Sequence, residues 1–326
     1  MANGPEIGIR RLEESSAGEV PKLYRAIYGD DFPAPVVYDS EAILKADREG
    51  DQVTLLAFSG DRVIGQAVAS RSAWNPGLYE LMGLMVLPEF RSSPAASMLA
   101  KAITDEVLPS LGWEARYTES TTAHDRSQRI DLRMGHRHCA LALNLLPGVA
   151  YGHDELFSVS GRVSCVMSFM ERPGLSPLDT WLPSRYESAL LALSEGFPRE
   201  FRRGETPPGK DASLKFIVFP VAGVAYVTVT DLGENLADTM EESLAKLGIL
   251  DTIMLQMPLL PGIDRSVEVV REMGFRLGGY LPRWFQGADG LLLQRTGEPL
   301  WEEIKLLPPR GTMLMDLVRS DREGSL

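Results

Sequence analysis

The chain is poor in the groups that would tie it to an oxidising compartment, a membrane or a nucleic acid. Only two of its 326 residues are cysteine, Cys139 and Cys165. Two thiols cannot build a disulfide framework, and they suit a reducing cytoplasm. No apolar run approaches the roughly 20 residues needed to cross a bilayer. The opening MANGPEIGIRRLEE has no apolar h-region, so neither a membrane partner nor a secretory signal is expected. Positive charge is in deficit: 33 Lys and Arg against 45 Asp and Glu leave a net charge of −12. That argues against nucleic acid as a partner, which needs a basic surface. It leaves room for a small anionic ligand, because a few backbone amides and one arginine set a local field.

Several catalytic signatures are missing as well. There is no Gly-x-Ser-x-Gly elbow and no Gly-x-x-x-x-Gly-Lys-Ser/Thr loop, which removes the hydrolase and P-loop readings. His136, His138 and Cys139 stand close together, but no Cys-x-x-Cys or His-Glu-x-x-His pattern supplies further ligands, so no metal site is expected. Aromatic residues make up 8% of the chain. Trp74 and the group Tyr280, Trp284 and Phe285 read either as core or as the lining of a substrate or domain interface.

What is present supports packed cores: 44% of the chain is hydrophobic, and its length suits about two domains. Strands are expected at Ile7–Leu12, Val53–Phe58, Val63–Ser70, Leu78–Leu87, Tyr117–Ser120, His138–Leu145 and Val163–Glu171. Helices are expected from Ser15 to Tyr28, at Glu41–Arg48 behind a cap at Asp39 or Ser40, at Ser93–Ser110 and at Ser127–Met134. This order predicts an α/β (α+β) domain whose sheet is mixed and mainly antiparallel, flanked by helices. The proline-rich stretch Pro173–Pro183 reads as a domain junction. A second series follows, with a helix at Ser184–Ser194, a loop opening at Glu205, strands at Phe216–Pro220 and Val224–Val229, a helix at Leu236–Leu247, a strand at Thr252–Met257 and a helix at Ser266–Met273. It closes with Phe275–Tyr280 and Leu291–Gln294. Met134-Gly135-His136-Arg137 recurs as Met273-Gly274-Phe275-Arg276, 139 positions on. The matching order of elements implies two related domains, 1–173 and 174–326. The polar tail SDREGSL is expected to be disordered.

The stretch LYELMGLMVLPEFRSSPAASMLAKAIT, residues 78–104, carries the most information. An apolar strand leads through Pro88-Glu89-Phe90 into Arg91-Ser92-Ser93-Pro94-Ala95-Ala96, which opens a helix. A small-residue loop at a helix start suits an anion, because the first helical N–H groups have no partner within the helix. The spacing resembles the acyl-CoA pyrophosphate loop of GCN5-related N-acetyltransferases, Gln/Arg-x-x-Gly-x-Gly/Ala. Arg91 fits its first position and Ala96 its last. Pro94 replaces the preferred glycine and removes one backbone donor.

The resemblance implies acetyl-CoA or another acyl-CoA as cofactor and an amine as acceptor, whether a small molecule or a protein. It implies acyl transfer by direct attack of the amine. Arg91, Ser92, Ser93, Ala95, Ala96 and Ser97 would hold the pyrophosphate. Met85, Val86 and Leu87 would pair with the pantetheine arm, and amides near Val86 would polarise the thioester. Glu80, eleven positions before Arg91, stands where one branch of the family has its catalytic glutamate, so it reads as the general base or as a carboxylate on a solvent face. The family's tyrosine acid is replaced by Asp131. His124 is at a position that commonly faces the cofactor in this fold, and it reads as acid or base or as a surface-loop histidine. Tyr117 and Glu119 are further candidates on the same strand end.

The second half lacks the loop. Asp231-Leu-Gly-Glu-Asn precedes its helix, and Asp231 and Glu234 would repel a pyrophosphate. Residues 174–326 are therefore expected to bind no CoA. The roles left to them are covering the first cleft, supplying part of the acceptor pocket, or pairing two copies as a homodimer. The alternative for the whole chain is a catalytically degenerate module that binds acyl-CoA or a partner protein. Thr122, His124, Ser127 and Gln128 also resemble a Thr-x-His-x-x-Ser-Gln run in bacterial acetyltransferase-like domains attached to anti-sigma-type ATPase modules, which implies a signalling role.

Overall fold

A computed structural model describes residues 6–71, 74–151, 159–204 and 209–326. The first five residues of the opening segment, and residues 205–208 of the loop expected at Glu205, lie outside the described residues. The chain forms two compact units, Met1–Glu119 with Gly148–Ser158, and Ser120–Pro147 with Val159–Leu326. The expected junction at Pro173–Pro183 falls within the second unit. Among the described residues no helix is long and apolar enough to cross a membrane.

The first unit runs β1 (Ile7–Arg11), α1 (Glu19–Tyr28), α2 (Ser40–Glu49), β2 (Gln52–Ser59), β3 (Arg62–Arg71), β4 (Leu78–Val86), α3 (Ala95–Ala102), α4 (Leu108–Leu111) and β5 (Ala115–Thr121), whose last two residues pass into the second unit. β1 to β4 pair in sequence as an antiparallel meander, and β5 joins β4 in parallel. Side chains alternate across the sheet, so each face buries its own layer. Val20, Leu23, Tyr24 and Ile27 recur at helical spacing on α1 and pack with Leu56, Val63 and Met85. Leu99, Ile103 and Val107 pack on the other face with Leu55, Ile64, Tyr79 and Val86.

Two helix starts are set locally. Asp39 accepts the Glu41 and Ala42 amides and caps α2, as its sequence predicts. The helix expected from Ser15 begins only at Glu19, because Glu14–Ser16 closes a 3-10 turn first. The helix expected across Ser93–Ser110 is interrupted by a π turn at Ile103–Val107. Pro109 follows within α4 and has no N–H to give to the preceding turn, which accounts for the change of register there.

The second unit continues with α5 (Arg126–Arg133), β6 (Arg137–Leu146), β7 (Val163–Glu171), β8 (Leu178–Trp181), α6 (Glu187–Ser194), β9 (Arg199–Arg202), β10 (Ser213–Phe219), β11 (Val224–Asp231), α7 (Leu236–Lys246), β12 (Thr252–Pro258), α8 (Ile263–Glu272), β13 (Arg276–Phe285), β14 (Ala288–Thr296) and α9 (Arg310–Arg322). Its main sheet has the order β7-β6-β13-β14-β12-β11-β10, in which β11 and β12 are parallel and the other neighbours antiparallel. The chain as a whole is therefore mixed α/β, its sheets mainly antiparallel and flanked by helices. The repeated tetrapeptides adopt the same geometry. Met134 and Met273 cap α5 and α8, and Gly135 and Gly274 follow at φ 85° and 88° before β6 and β13.

β6 and β13 share a single bridge, Gly279 to Ala140. A Cβ on Gly279 would lie 2.4 Å from the Cys139 carbonyl oxygen, so only glycine permits this approach. Beside it the buried Gln294 side chain takes over from the ladder. It accepts the Leu143 amide at 2.8 Å and donates to the Leu141 and Leu277 carbonyls.

The tail corrects an expectation. Ser320, Asp321 and Arg322 belong to α9, and Asp321 is fully buried. Asp321 accepts from the Tyr186 hydroxyl at 2.8 Å and the Leu277 amide at 2.7 Å, and it pairs with Arg271. The polar composition of the tail concealed this: Leu314, Val318 and Asp321 form one stripe, and the acid at its end faces inward. Asp321→Ala should cost about 3 kcal/mol or more, because it leaves Arg271 and the Leu277 amide without their carboxylate. Urea denaturation checks this, and an unchanged midpoint would remove Asp321 from the core.

Candidate functional site

Two features of β4 open the first unit's sheet. β4 and β5 pair only at Leu78–Ala115, Tyr79–Arg116 and Glu80–Tyr117. Just beyond, β4 bulges: Val68 faces Met82, but Gln66 faces Met85, so Gly83 and Leu84 stand opposite Ala67 alone. Gly83 takes φ +59°. A strand that bends here cannot stay in register with a straight neighbour, and the edge of β4 that faced β5 is left open.

The pairing with β3 identifies the atoms on that edge. The Leu87 amide donates to Ile64 O at 2.8 Å. Adjacent antiparallel positions alternate in direction, so the N–H and C=O of Val86 point away from β3, toward the opening. Met85 and Leu87 differ from Val86 in this. Leu87 is engaged on both sides, its carbonyl accepting from Phe90 N at 2.9 Å. Within the expected Met85–Leu87 set, Val86 is thus the residue whose backbone faces the open edge.

Glu80 is half-buried at the point where β4 and β5 part. Its Oε2 accepts from the Tyr117 hydroxyl at 3.0 Å. Burial pushes the Glu80 carboxyl above its ordinary range, and the tyrosine bond works against that shift. Glu119 lies two residues beyond Tyr117 on the same face. Burial and then the charge of Glu80 push its carboxyl up to about 8. The two carboxyls are neighbours on one face, so they titrate as an interacting pair. Among the described residues no lysine or arginine pairs with either carboxylate. Tyr24, on α1, completes the group: burial, neighbouring Tyr28 and, more weakly, Glu80 hold its hydroxyl above its ordinary range.

The loop supplies fewer amides than its sequence promises. Ser93 N donates to Phe90 O at 2.9 Å and Ala95 N to Ser93 Oγ at 3.3 Å. Pro94 has no N–H and stands at the N-cap of α3. The amides of Ser92, Ala96 and Ser97 are the ones without a bond inside the loop. Ser92, Ser97 and Arg91 are exposed beside them. A site with three amides and one guanidinium fits a phosphate group at the start of α3.

The parallel pair β11–β12 in the second unit is zipped over five positions, Val224–Thr252 to Thr228–Gln256, and the Thr228 hydroxyl donates to Gln256 at 2.8 Å. Its helix start is closed by its own chain. Glu234 N donates to Gly209 O, Asn235 N to Lys210 O and Leu236 N to Gly233 O. A Cβ on Gly233 would sit 2.1 Å from Ala212 N.

The remaining candidates have structural partners. His124 lies in the second unit, where its Nδ1 accepts the Arg126 amide at 3.2 Å at the start of α5. Asp131, at the position of the family tyrosine, is buried and accepts from Ser120 Oγ at 2.6 Å. Gln128 of the Thr-x-His-x-x-Ser-Gln run is buried; it donates to Lys305 O at 2.7 Å and accepts Leu307 N at 3.2 Å, which ties that run to the segment before α9. His136 meets Asp131 O at 3.1 Å and His138 meets Ser168 Oγ at 2.8 Å; burial holds the His138 imidazole down at about 4. Among the described residues no three His, Cys, Asp or Glu side chains converge as a metal site. Tyr280, Trp284 and Phe285 are buried, and Tyr280 donates to Asp289 at 2.7 Å. Sequence reasoning missed Gln66 and Tyr24. The available signals were a lone amide within the apolar strand Val63–Ala69 and a glycine inside an apolar strand.

No family model matches the chain, and no curated protein matches it. Solved structures do. An N-acetyltransferase from Staphylococcus aureus Mu50 is similar at 11% identity, over 51% of this chain and 98% of its own, with a TM-score of 0.42. NAA60 of Arabidopsis thaliana, in complex with a bisubstrate analogue, is similar at 17% identity over 52% and 100%, with a TM-score of 0.41. The yncA protein of Salmonella typhimurium, with its cofactor acetyl-CoA, is similar at 13% identity over 53% and 98%, with a TM-score of 0.43.

Two outcomes follow from the geometry. A carboxyl held near 8 in the fold and near 4.5 when unfolded makes the folded state less stable as pH rises through that window. Glu119→Gln should therefore match wild type below pH 4.5 and melt higher above pH 8; a melting difference independent of pH would show that Glu119 is not desolvated. Gly83→Ala should destabilise the protein by about 1 kcal/mol or more, since alanine resists the left-handed conformation and its Cβ would lie 3.0 Å from Gln66 Nε2. Thermal melts read this directly.

Proposed function

We propose that residues 1–173 form an acyl-CoA-dependent N-acyltransferase domain of the GCN5-related kind, acting in the cytoplasm, and that residues 174–326 form a second, degenerate copy. The observation that carries the reading is the opening of β4 from β5 at Glu80, with a free strand edge at Val86 and a helix start at Ala95 reached by the same strand. The repeated Met-Gly turn geometry supports two copies. The zipped β11–β12 pair and the internally bonded amides of Glu234–Leu236 support loss of the cofactor site in the second.

The residues present fit an acyl-CoA. Arg91 and the amides of Ser92, Ala96 and Ser97 would hold the pyrophosphate, with Ser93 and Ala95 shaping the turn. Val86 would meet the pantetheine amides. The bound thioester would supply the activated acyl group. Glu80 takes the proton that an ammonium must lose before its nitrogen can attack. Tyr117 holds the Glu80 carboxylate at the mouth of the opening. Attack is direct, and Cys139, fully buried and pushed up to about 11 by burial, takes no part as a nucleophile.

Calorimetric titration with acetyl-CoA is the first test. Wild type should bind saturably and Arg91→Glu should lose binding. With an amine acceptor, Glu80→Gln should release CoA about 100-fold more slowly or slower still, the range for loss of a general base. Binding without turnover across a broad amine panel would favour the non-catalytic module, and no binding by wild type would overturn the acyl-CoA reading.

A further inference from the structure

The second unit repeats the central strand pattern of the first but leaves one edge of it uncovered among the described residues. In the first unit β3 pairs antiparallel with β4, α3 follows β4, and β5 returns parallel to β4. In the second, β10 pairs antiparallel with β11, α7 follows β11, and β12 returns parallel to β11. β10 therefore stands where β3 stands. The other edge of β3 is covered by antiparallel β2, and β3 is buried from Val63 to Ala69. β10 ends its sheet, and among the described residues no strand pairs with its outer edge. The strand that precedes it, β9, is already paired with β8 in a separate sheet.

β10 has the composition of a covered strand. Phe216, Ile217, Val218, Phe219 and, just past its end, Val221 are 36% to 65% exposed. Successive side chains point to opposite faces, so the strand is apolar on both. Edge strands that meet water are kept short or charged. β1 is an example, with five residues of which Arg10 and Arg11 are exposed. β10 has seven residues and Lys215 as its single charge. From Ala212 to Gly223 the sequence holds no acid, in a chain whose net charge is −12. Two copies that meet here avoid the repulsion between their acidic surfaces.

We propose that β10 pairs with β10 of a second copy of this chain, antiparallel about a two-fold axis at Ile217. A strand that is apolar on both faces complements itself, and a two-fold axis across an edge generates an antiparallel pair. This axis sets Lys215 against Phe219 of the second copy, so a cation meets a ring and not its like. A free phenylalanine offers roughly 150–250 Å² and a valine or isoleucine somewhat less. The five side chains therefore expose on the order of 400 Å² per copy, the size of patch that marks an interface. With the strand backbone, the pair would bury on the order of 1,000 Å² in total, the lower limit for a specific contact. The dimer is accordingly reversible, with dissociation in the micromolar range. It does not depend on the acyl-transfer reading.

Sedimentation equilibrium of the full-length protein tests the pairing, over about 1–100 μM, a range that brackets such affinities. Wild type should pass from monomer to dimer and stop there, and Ile217→Lys should stay monomeric throughout. Ile217→Cys gives a second readout. Cys139 and Cys165 are buried, so mild oxidation should join two copies through the thiols beside the axis. Arg10→Cys, on the edge strand β1, should leave the copies separate under the same oxidation. If Ile217→Lys fails to fold, the cross-link decides. Wild type that is monomeric at every concentration, or that grows beyond a dimer, overturns the pairing. Cross-linking through Arg10→Cys but not through Ile217→Cys overturns it too.

Discussion

A strand between two neighbours must offer its hydrogen bonds to both, and β4 stops doing so at Glu80. The bulge at Gly83 and Leu84 lets β4 follow β3 while it departs from β5. The rest of the candidate site follows from that departure. It bares the Val86 edge, places Glu80 and Tyr117 at a mouth instead of inside a ladder, and makes space for the Gln66 amide. In the second unit β11 and β12 keep their ladder, and the helix start beside them is filled by residues 209–212. One backbone choice separates an open sheet from a closed one.

Electrostatics in the first unit depend on what is missing from the cluster. Two carboxylates sit half-buried with no cationic partner among the described residues, so desolvation dominates and both carboxyls move upward. The Tyr117 bond works against that shift at Glu80. In the second unit carboxylates are buried more deeply, but with partners. Asp289 and Glu171 both meet Arg199, and Asp321 meets Arg271. Those groups hold strands and helices together and leave no unmatched charge for a ligand.

The order of strands and helices was legible in the sequence because apolar periodicity and glycine positions mark it directly. Asp39 and the Met-Gly corners are local features, and each is set by residues within a few positions. Glu80 and the loop beginning at Arg91 were legible for the same reason, as one contiguous stretch. The role of α9 was hidden, since the partners of Asp321 lie 44 to 135 positions away. The partner of Gln128, in the Thr-x-His-x-x-Ser-Gln run, was hidden in the same way, since it lies 177 residues on.

The sequence by itself determined the mixed α/β class, the mainly antiparallel sheet and the positions of the strand and loop that carry the candidate site. Tertiary structure alone decided which loop amides stay available, which groups the histidines meet, and that Gln66 and Tyr24 stand on the same face as Glu80. Periodicity reports which residues share a face. Hydrogen-bond satisfaction and desolvation depend on neighbours brought together from distant parts of the chain, and no local pattern records them.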